Sequence, residues 1–157
     1  MAKGRGTILG IIAILLGASG LGFGLVSWLN LGQVSVRQSW YDTKDVDSVS
    51  ETGAYIDDLS ITMNLGSGET VYVLFTCTVE CSGLWANFYI YIDDIRTNGH
   101  TRVSRDDVAG YLYFSVAIQH INNTLSAGAH TITVWGHTDD FDTDVLDCVL
   151  FVQTLAI

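Results

Sequence analysis

The fold that the sequence predicts is all-β: an antiparallel, jelly-roll-like β-sandwich preceded by one N-terminal transmembrane helix. Two observations lead to it. Apolar and polar residues alternate with a period of two along most of residues 54–157, with turn residues between the alternating stretches, and Thr7–Leu31 carries no charged residue. Such alternation is typical of strands that bury one face, and about 25 uncharged residues suffice for a helix to cross the ~30 Å hydrocarbon core of a membrane.

The residues around the uncharged segment predict its orientation. Lys3 and Arg5 precede it, and positively charged flanks tend to stay on the cytoplasmic side. We therefore expect a cytoplasmic N-terminus at residues 1–6, a single-pass helix at residues 7–31 in contact with membrane lipid, a stalk or first edge strand at residues 32–53, and an extracellular head at residues 54–157.

Two alternatives to a retained anchor stay open. A secretory signal could be cleaved near Ala18-Ser19-Gly20, and an archaeal pilin-type leader could be cut after Gly4 or Gly6. Small residues also recur four apart along the segment, a spacing that lets membrane helices approach closely. The predicted helix-packing residues are Gly6, Gly10, Ala13, Gly17, Gly20 and Gly24.

Six or seven strands are predicted in the head, each with alternate residues facing a core. Turns are expected at residues 66–68, 82–83 and 122–128, a polar loop at 93–110 and an acidic loop at 139–144, and the last strand, 145–157, is apolar on both faces. The core-facing residues are, in chain order, Leu59, Ile61, Met63 and Leu65; Val71, Val73, Phe75, Cys77 and Val79; Phe88, Ile90 and Ile92; Leu112, Phe114, Val116 and Ile118; and Ile132 and Val134.

The same alternation directs a set of tyrosines away from the core. Because Phe88 and Ile90 face inward, their tyrosine neighbours must face outward, and a multistrand aromatic patch usually marks an interface. Self-association through this face is therefore expected, in preference to ligand binding. The predicted interface residues are Tyr72, Tyr89, Tyr91, Tyr111, Tyr113, Val149 and Phe151.

Four segments resemble known jelly-roll strands: Ser67–Val79, Ala86–Ile95, Leu125–Trp135 and Cys148–Ile157. They are similar to strands of the tumour necrosis factor and complement globular-head superfamily, and to modules of phage surface proteins and archaeal membrane-anchored proteins. The resemblance implies a compact homotrimer with aromatic residues near the threefold axis. Tumour necrosis factor ligands also share the predicted order of cytoplasmic N-terminus, anchor, stalk and head. No receptor-binding motif is matched.

Charge and cysteine content limit the partners of the head. After residue 32 the chain has seventeen Asp and Glu residues against five Lys and Arg, a formal net charge of −12, which argues against nucleic acid as a partner. Cys77 and Cys81 are too far apart to bridge within one extended strand. One of them could meet Cys148 across the sheet, or all three could be small buried residues.

Only weak signals for bound groups are present. Asp140-x-Asp142-x-Asp144 resembles the start of a calcium loop, but Val145 and Phe151 stand where an EF-hand needs glycine and glutamate. A non-EF calcium site, with Asp139 or Asp147 contributing, remains an alternative to a solvated loop. Asn122 begins a glycosylation sequon. His120 and His130 could approach each other across one hairpin, although two histidines without a third ligand make a poor metal site.

No catalytic motif and no phosphate-binding loop are found, so we expect neither catalytic residues nor a cofactor. The sequence thus predicts a membrane-anchored, non-enzymatic protein of the cell surface that acts in recognition or adhesion and self-associates as a homotrimer. Its further partner would be an extracellular protein or glycan. The alternatives are a subunit of a pilus-like filament with the N-terminal helix as its spine, and a module that binds a glycan or small ligand.

Overall fold

The computed structural model describes residues 35–81, 84–104, 110–139 and 143–156. The predicted cytoplasmic residues, transmembrane helix and helix-packing residues lie outside these ranges. Ser35–Ile157 forms one compact unit. No helix long and apolar enough to cross a membrane occurs among the described residues. The strands of the described residues are β1 (Ser35–Val49), β2 (Ala54–Leu65), β3 (Glu69–Cys81), β4 (Trp85–Ile92), β5 (Ile95–Ser104), β6 (Leu112–Asn122), β7 (Gly128–Thr138) and β8 (Thr143–Ala156).

The strands form two four-stranded antiparallel sheets, which confirms the predicted β-sandwich. The first sheet has the order β1-β8-β3-β6 and the second sheet the order β2-β7-β4-β5. Alternate side chains of both sheets fill the space between them, and the rings of Phe75 and Phe88 lie 6.2 Å apart there. Burying one such large apolar side chain contributes about 1.5–3 kcal/mol. Leu112, predicted to face this core, is instead 38% exposed at the start of β6.

The prediction of a polar loop over residues 93–110 is wrong for Ile95–Ser104, which forms β5. This edge strand has few apolar residues, so it lacks the alternation by which strands are recognised. It pairs with β4 through a two-residue turn, in which Asp93 and Asp94 have φ values of 53° and 61°. Positive φ at both central residues is what a type I′ hairpin turn requires.

Residues of the predicted stalk or first edge strand form β1, at the edge of the first sheet. Two carboxylates of β1 reach β2 of the second sheet: Asp42 accepts a hydrogen bond from the backbone N–H of Ser60, and Asp47 accepts one from Asp57. These N–H groups lie where the pairing of β2 with β7 is interrupted, between Tyr55 and Ser60. The interruption therefore provides donors that tie the two sheets together at this edge.

A bulge in β8 sets which of its residues face outward. The pairing of β3 with β8 shifts between Thr76 and Thr78, and Asp147 has a φ of 51° there. Val145 and Cys148 are consequently both buried although they are three residues apart. A bulge re-aims the side chains that follow it, which leaves Val149 36% exposed.

Candidate functional site

A row of aromatic side chains crosses the outer face of the second sheet. Ile90 and Val134 point into the core, so their neighbours on β4 and β7 point out. The register then places Tyr55, Trp135, Tyr89 and His100 opposite one another on β2, β7, β4 and β5. At ~4.8 Å between neighbouring strands, the row is about 14 Å long. The row is therefore longer than a single aromatic side chain.

Tyr89 connects the rings of Trp135 and His100 within the row, whereas the ring of Tyr55 contacts Tyr91 at 5.6 Å. Tyr89 lies 5.6 Å from Trp135 and is stacked on His100 at 5.9 Å. His137 links Trp135, at 5.4 Å, to Trp85, at 4.9 Å. We call this set the aromatic surface, and its members are Tyr55, Trp85, Tyr89, Tyr91, His100, Trp135 and His137.

The turn between β1 and β2 fixes the position of Trp135. Gly53 has a φ of 73°, and its N–H donates a hydrogen bond to the carbonyl of Ser50. A Cβ atom at position 53 would lie only 1.8 Å from Cζ2 of Trp135. Only glycine allows the backbone of this turn to lie directly against the indole ring.

Two arginines of β5 lie over rings of the aromatic surface. The Cζ atom of Arg96 is 3.8 Å from the ring centroid of Tyr89, and that of Arg102 is 4.9 Å from the centroid of Trp85. Both are cation–π distances. Neither guanidinium has an ion pair within the described ranges. Asn87 lies between Arg102 and His137 in the register and adds an amide to the surface.

Asp93 anchors the β4–β5 hairpin that carries these arginines. Its Oδ1 accepts a hydrogen bond from the N–H of Thr131 at 2.8 Å, and its Oδ2 lies 2.7 Å from Nδ1 of His130. The hydrogen bond from His130 is the main cause that lowers the pKa of Asp93. The same bond, together with one from Nε2 to the carbonyl of Ser126, raises the pKa of His130.

Asp139 holds the other end of β4. Its two carboxylate oxygens accept hydrogen bonds from the N–H groups of Leu84 and Trp85, at 3.2 and 3.0 Å. The carboxylate therefore positions the strand residue that carries the Trp85 ring. Asp139 therefore has a structural role here, whereas the sequence suggested it as a contributor to a calcium site.

The residues predicted as one interface are divided between the two sheets. Tyr89 and Tyr91 belong to the aromatic surface on the second sheet, whereas Tyr113, Val149 and Phe151 are on the outer face of the first sheet. Tyr111 immediately precedes β6 and is 56% exposed, and Tyr72 of β3 is buried. The structure thus does not bring the predicted set together, and a role of its members in an oligomer stays a prediction.

The predicted metal and glycosylation sites have different outcomes. Asp140 and Asp142 lie outside the described residues, and Asp144 is paired with Ser48 and Glu80 at the start of β8. No group of three or more metal-binding side chains occurs in the described part of the chain. The Asn122 side chain accepts two hydrogen bonds from Thr124, both at 2.9 Å. Its glycosylation stays a prediction.

The sequence left open that two of the four histidines approach each other. The structure places His120 on β6 of the first sheet and His130 on β7 of the second. Burial lowers the pKa of His120. Its Nε2 atom is buried without a hydrogen-bond partner in the described structure.

The three cysteines are buried thiols rather than disulfides in the structure. Cys77 and Cys148 meet on the neighbouring strands β3 and β8, and a hydrogen bond between their thiols is the main cause that raises the pKa of Cys77. The hydroxyl of Thr143 lies 3.7 Å from the sulfur of Cys81. The sequence left two alternatives open. The structure shows Cys77 in contact with Cys148 without a disulfide, and all three cysteines are buried.

Most of the aromatic surface was not predicted from the sequence. Trp135 and His137 alternate with Ile132 and Val134 in the sequence, and this alternation indicates that both side chains point outward. Arg96, His100 and Arg102 were hidden because β5 was interpreted as a loop. Tyr55 joins the row only through its pairing with Trp135.

No protein-family profile and no curated protein matches the sequence. Among solved structures, the CBM36-1 domain of a multidomain xylanase from the hindgut metagenome of Trinervitermes trinervoides aligns with 73% of this chain and 96% of its own length, at 13% identity and a TM-score of 0.37.

Two larger proteins also align. A cycloisomaltooligosaccharide glucanotransferase of Paenibacillus sp., complexed with cycloisomaltoheptaose, gives a TM-score of 0.30 at 16% identity over 81% of this chain. PorU of Porphyromonas gingivalis gives 0.34 at 10% identity over 74%. This chain spans only 18% and 12% of their respective lengths. The three TM-scores are all below 0.5, so these similarities carry no information about function.

Proposed function

We propose that this chain is a non-enzymatic recognition protein that binds glycans on the aromatic surface of its second sheet. The observation that carries the proposal is the row formed by Tyr55, Trp135, Tyr89 and His100 across all four strands. A pyranose ring has a face of C–H groups that packs on an aromatic ring, and a rim of hydroxyls that needs hydrogen-bonding partners. Asn87 and the imidazoles of His100 and His137 supply such partners beside the rings.

The shape of the site favours an oligosaccharide over a small molecule. Small-molecule sites are concave and bury most of the ligand surface. Here the rings lie along the open face of a sheet, in a row of about 14 Å. An extended ligand with several sugar rings can contact several of these side chains at once.

The proposal that the head lies at the cell surface rests on the sequence alone. Residues 7–31 are proposed to anchor the chain in the membrane with the head outside. The strand orders β1-β8-β3-β6 and β2-β7-β4-β5 support a jelly roll, since the chain passes repeatedly between the two sheets. The resemblance to the heads of tumour necrosis factor ligands stays a prediction.

Glycan binding by the full chain is the test, in a detergent without a sugar headgroup. We expect binding on a glycan array, and titration calorimetry of the best ligand should show at least a tenfold loss of affinity for Trp135→Ala and for Tyr89→Ala. Tenfold corresponds to about 1.4 kcal/mol, within reach of one stacked ring. Tyr41→Ala is the matched control, because Tyr41 is 77% exposed on the first sheet.

Circular dichroism must show that the variants keep the wild-type β-structure. Two results would contradict the proposal. One is that no glycan binds to the wild-type protein. The other is that Tyr41→Ala weakens binding as much as the two variants of the aromatic surface do.

A second candidate function is self-association through the outer face of the first sheet. The observation that favours it is a cross-strand row of large side chains on that face: Tyr41, Phe151 and Leu74 are opposite one another in the register, and Tyr41 is 77% exposed. Large exposed apolar patches mark interaction sites. The two functions use opposite faces of the sandwich and are therefore compatible.

A further inference from the structure

We infer that the glycans bound by the aromatic surface are acidic, with carboxylates of uronic-acid type that pair with Arg96 and Arg102. The inference rests on the proposed glycan binding and specifies its ligand class. It starts from the distribution of charge. Residues 33–157 contain only five Lys and Arg residues, and two of them lie over rings of this one surface.

β5 differs in charge from the rest of the head. Between Ile95 and Ser104 it contains two arginines and a histidine, and no acidic residue. Residues 33–157 as a whole have a formal net charge of −12. At physiological ionic strength, charges more than about 8 Å apart are largely screened. The local arginines, rather than the net charge, therefore determine which ligands this surface attracts.

The carboxylates that border the aromatic surface already have partners. Asp93 is bonded to His130 and to the N–H of Thr131, and Asp139 is bonded to two backbone N–H groups at the start of β4. Asp94 lies 3.4 Å from the hydroxyl of Tyr55. None of them forms an ion pair with Arg96 or Arg102. Within the described residues, both guanidinium groups therefore retain the capacity to pair with a ligand anion.

The arrangement of rings and arginines suits a uronic acid. The carboxylate of such a sugar projects from the rim of the pyranose, so a sugar stacked on Trp135 or Tyr89 directs its carboxylate sideways along the sheet. Arg96 pairs in the register with Tyr91, two residues after Tyr89, and Arg102 pairs with Asn87, two residues before it. A planar guanidinium forms two parallel hydrogen bonds with a carboxylate, which neutral hydroxyls cannot replace.

When an acidic glycan binds, each arginine would exchange its contact with a ring for a contact with a carboxylate. In the structure, the two guanidinium groups lie over the rings of Tyr89 and Trp85. A cation–π contact at an exposed site is weak, so the guanidinium can leave the ring for a carboxylate. The ring face that it leaves then becomes available for a sugar. The same residues thus account for both the stacking and the selectivity.

The experiment compares each acidic oligosaccharide with its carboxyl-reduced form, which has the same rings and linkages but no charge. Oligomers of galacturonate, glucuronate and mannuronate serve as probes, with the full chain in a detergent without a sugar headgroup. We expect at least one acidic oligomer to bind ten times more tightly than its reduced form. The Arg96→Gln, Arg102→Gln double variant should lose this preference and bind the acidic and the reduced forms with equal affinity.

Arg37→Gln is the matched control, because Arg37 is an exposed arginine of β1 on the first sheet. It should keep the preference for the acidic form. Equal binding of acidic and reduced oligomers to the wild-type protein would overturn the inference and leave the proposed glycan binding intact. A preference that survives in the double variant, or disappears in Arg37→Gln, would also overturn it. Absence of binding to either form, and to all other glycans, would instead contradict the proposed function itself.

Discussion

The protonation state of His130 follows from its two neighbours. Its Nδ1 faces a carboxylate oxygen of Asp93, and its Nε2 faces the carbonyl oxygen of Ser126. Neither an ionised carboxylate nor a carbonyl can donate a hydrogen bond, so both ring nitrogens must carry a proton for both bonds to form. The pair is therefore a charged contact that joins β7 to the turn between β4 and β5.

This contact makes stability depend on pH. The raised pKa of His130 means that its contribution is complete below its ordinary value of 6.5 and is lost as pH rises through the raised value. The lowered pKa of Asp93 means that its contribution is complete above the ordinary value of 3.8 and is lost as pH falls through the lowered value. The pair should therefore stabilise the fold most between about pH 4 and pH 6.5.

We expect Asp93→Asn to lower the free energy of unfolding by about 0.5–1 kcal/mol within this window. The effect is small because the Asp93 side chain is 43% exposed and its ion pair is screened. The loss should be smaller at higher pH, where His130 is neutral in the wild-type protein as well. Asparagine tolerates the positive φ of this position. Urea denaturation at several pH values measures the effect, with Asp94→Asn as the control. A loss that is the same at pH 5 and pH 9 would show that the charged pair is not its cause.

At the scale of elements, the turn between β1 and β2 determines how Trp135 is presented. Gly53 and Gly68 provide a matched comparison, since their φ values are 73° and 76°. A Cβ atom at Gly68 would meet nothing within 4 Å, whereas one at Gly53 would overlap the indole of Trp135. The backbone strain of an alanine is thus similar at the two positions, and only Gly53 adds a steric conflict.

Gly68→Ala should lower the free energy of unfolding by about 1 kcal/mol, the lower end for a strained backbone position. Gly53→Ala should lower it by about 2 kcal/mol or more, because Trp135 must also move. Chemical denaturation measures both, and glycan titration should show a loss of affinity for Gly53→Ala alone. Equal destabilisation by the two substitutions would contradict the close contact between the turn and the ring.

At the scale of the whole molecule, the two outer faces of the sandwich have different chemistry. The second sheet presents rings together with arginines and histidines. The first sheet presents apolar side chains, with Tyr41, Phe151 and Leu74 opposite one another on β1, β8 and β3. A row of large apolar side chains without charged groups is better suited to a second protein surface than to a sugar.

We therefore expect the outer face of the first sheet to hold the oligomer together, as a trimer if the resemblance to tumour necrosis factor heads extends to assembly. Tyr41→Asp with Val149→Asp should dissociate the detergent-solubilised full chain to a monomer, because a buried unpaired carboxylate opposes association. Light scattering measures the mass, and circular dichroism checks the fold. Tyr91→Asp, on the second sheet, should leave the mass unchanged. A wild-type protein that is monomeric at micromolar concentration would contradict this prediction.

The sequence by itself determined that residues 35–157 form an all-β sandwich and, for most strands, which residues face the core. Alternation along β4 sufficed to direct Phe88 inward and Tyr89 outward, because successive side chains of a strand point to opposite faces wherever that strand lies. The same local rule failed for β5, whose residues Ile95–Ser104 are too polar to alternate. That strand exists because its backbone pairs with β4.

Only the tertiary structure decided which outward residues share a surface. Tyr89 and Tyr113 both alternate outward, yet β4 pairs with β7 in the second sheet and β6 pairs with β3 in the first. Sheet membership depends on hydrogen bonds between strands far apart in the chain, and the period of a single strand contains no information about them. For this reason the sequence revealed outward-facing tyrosines, whereas the structure joined Tyr89 to Trp135 and Arg96 and separated it from Tyr113.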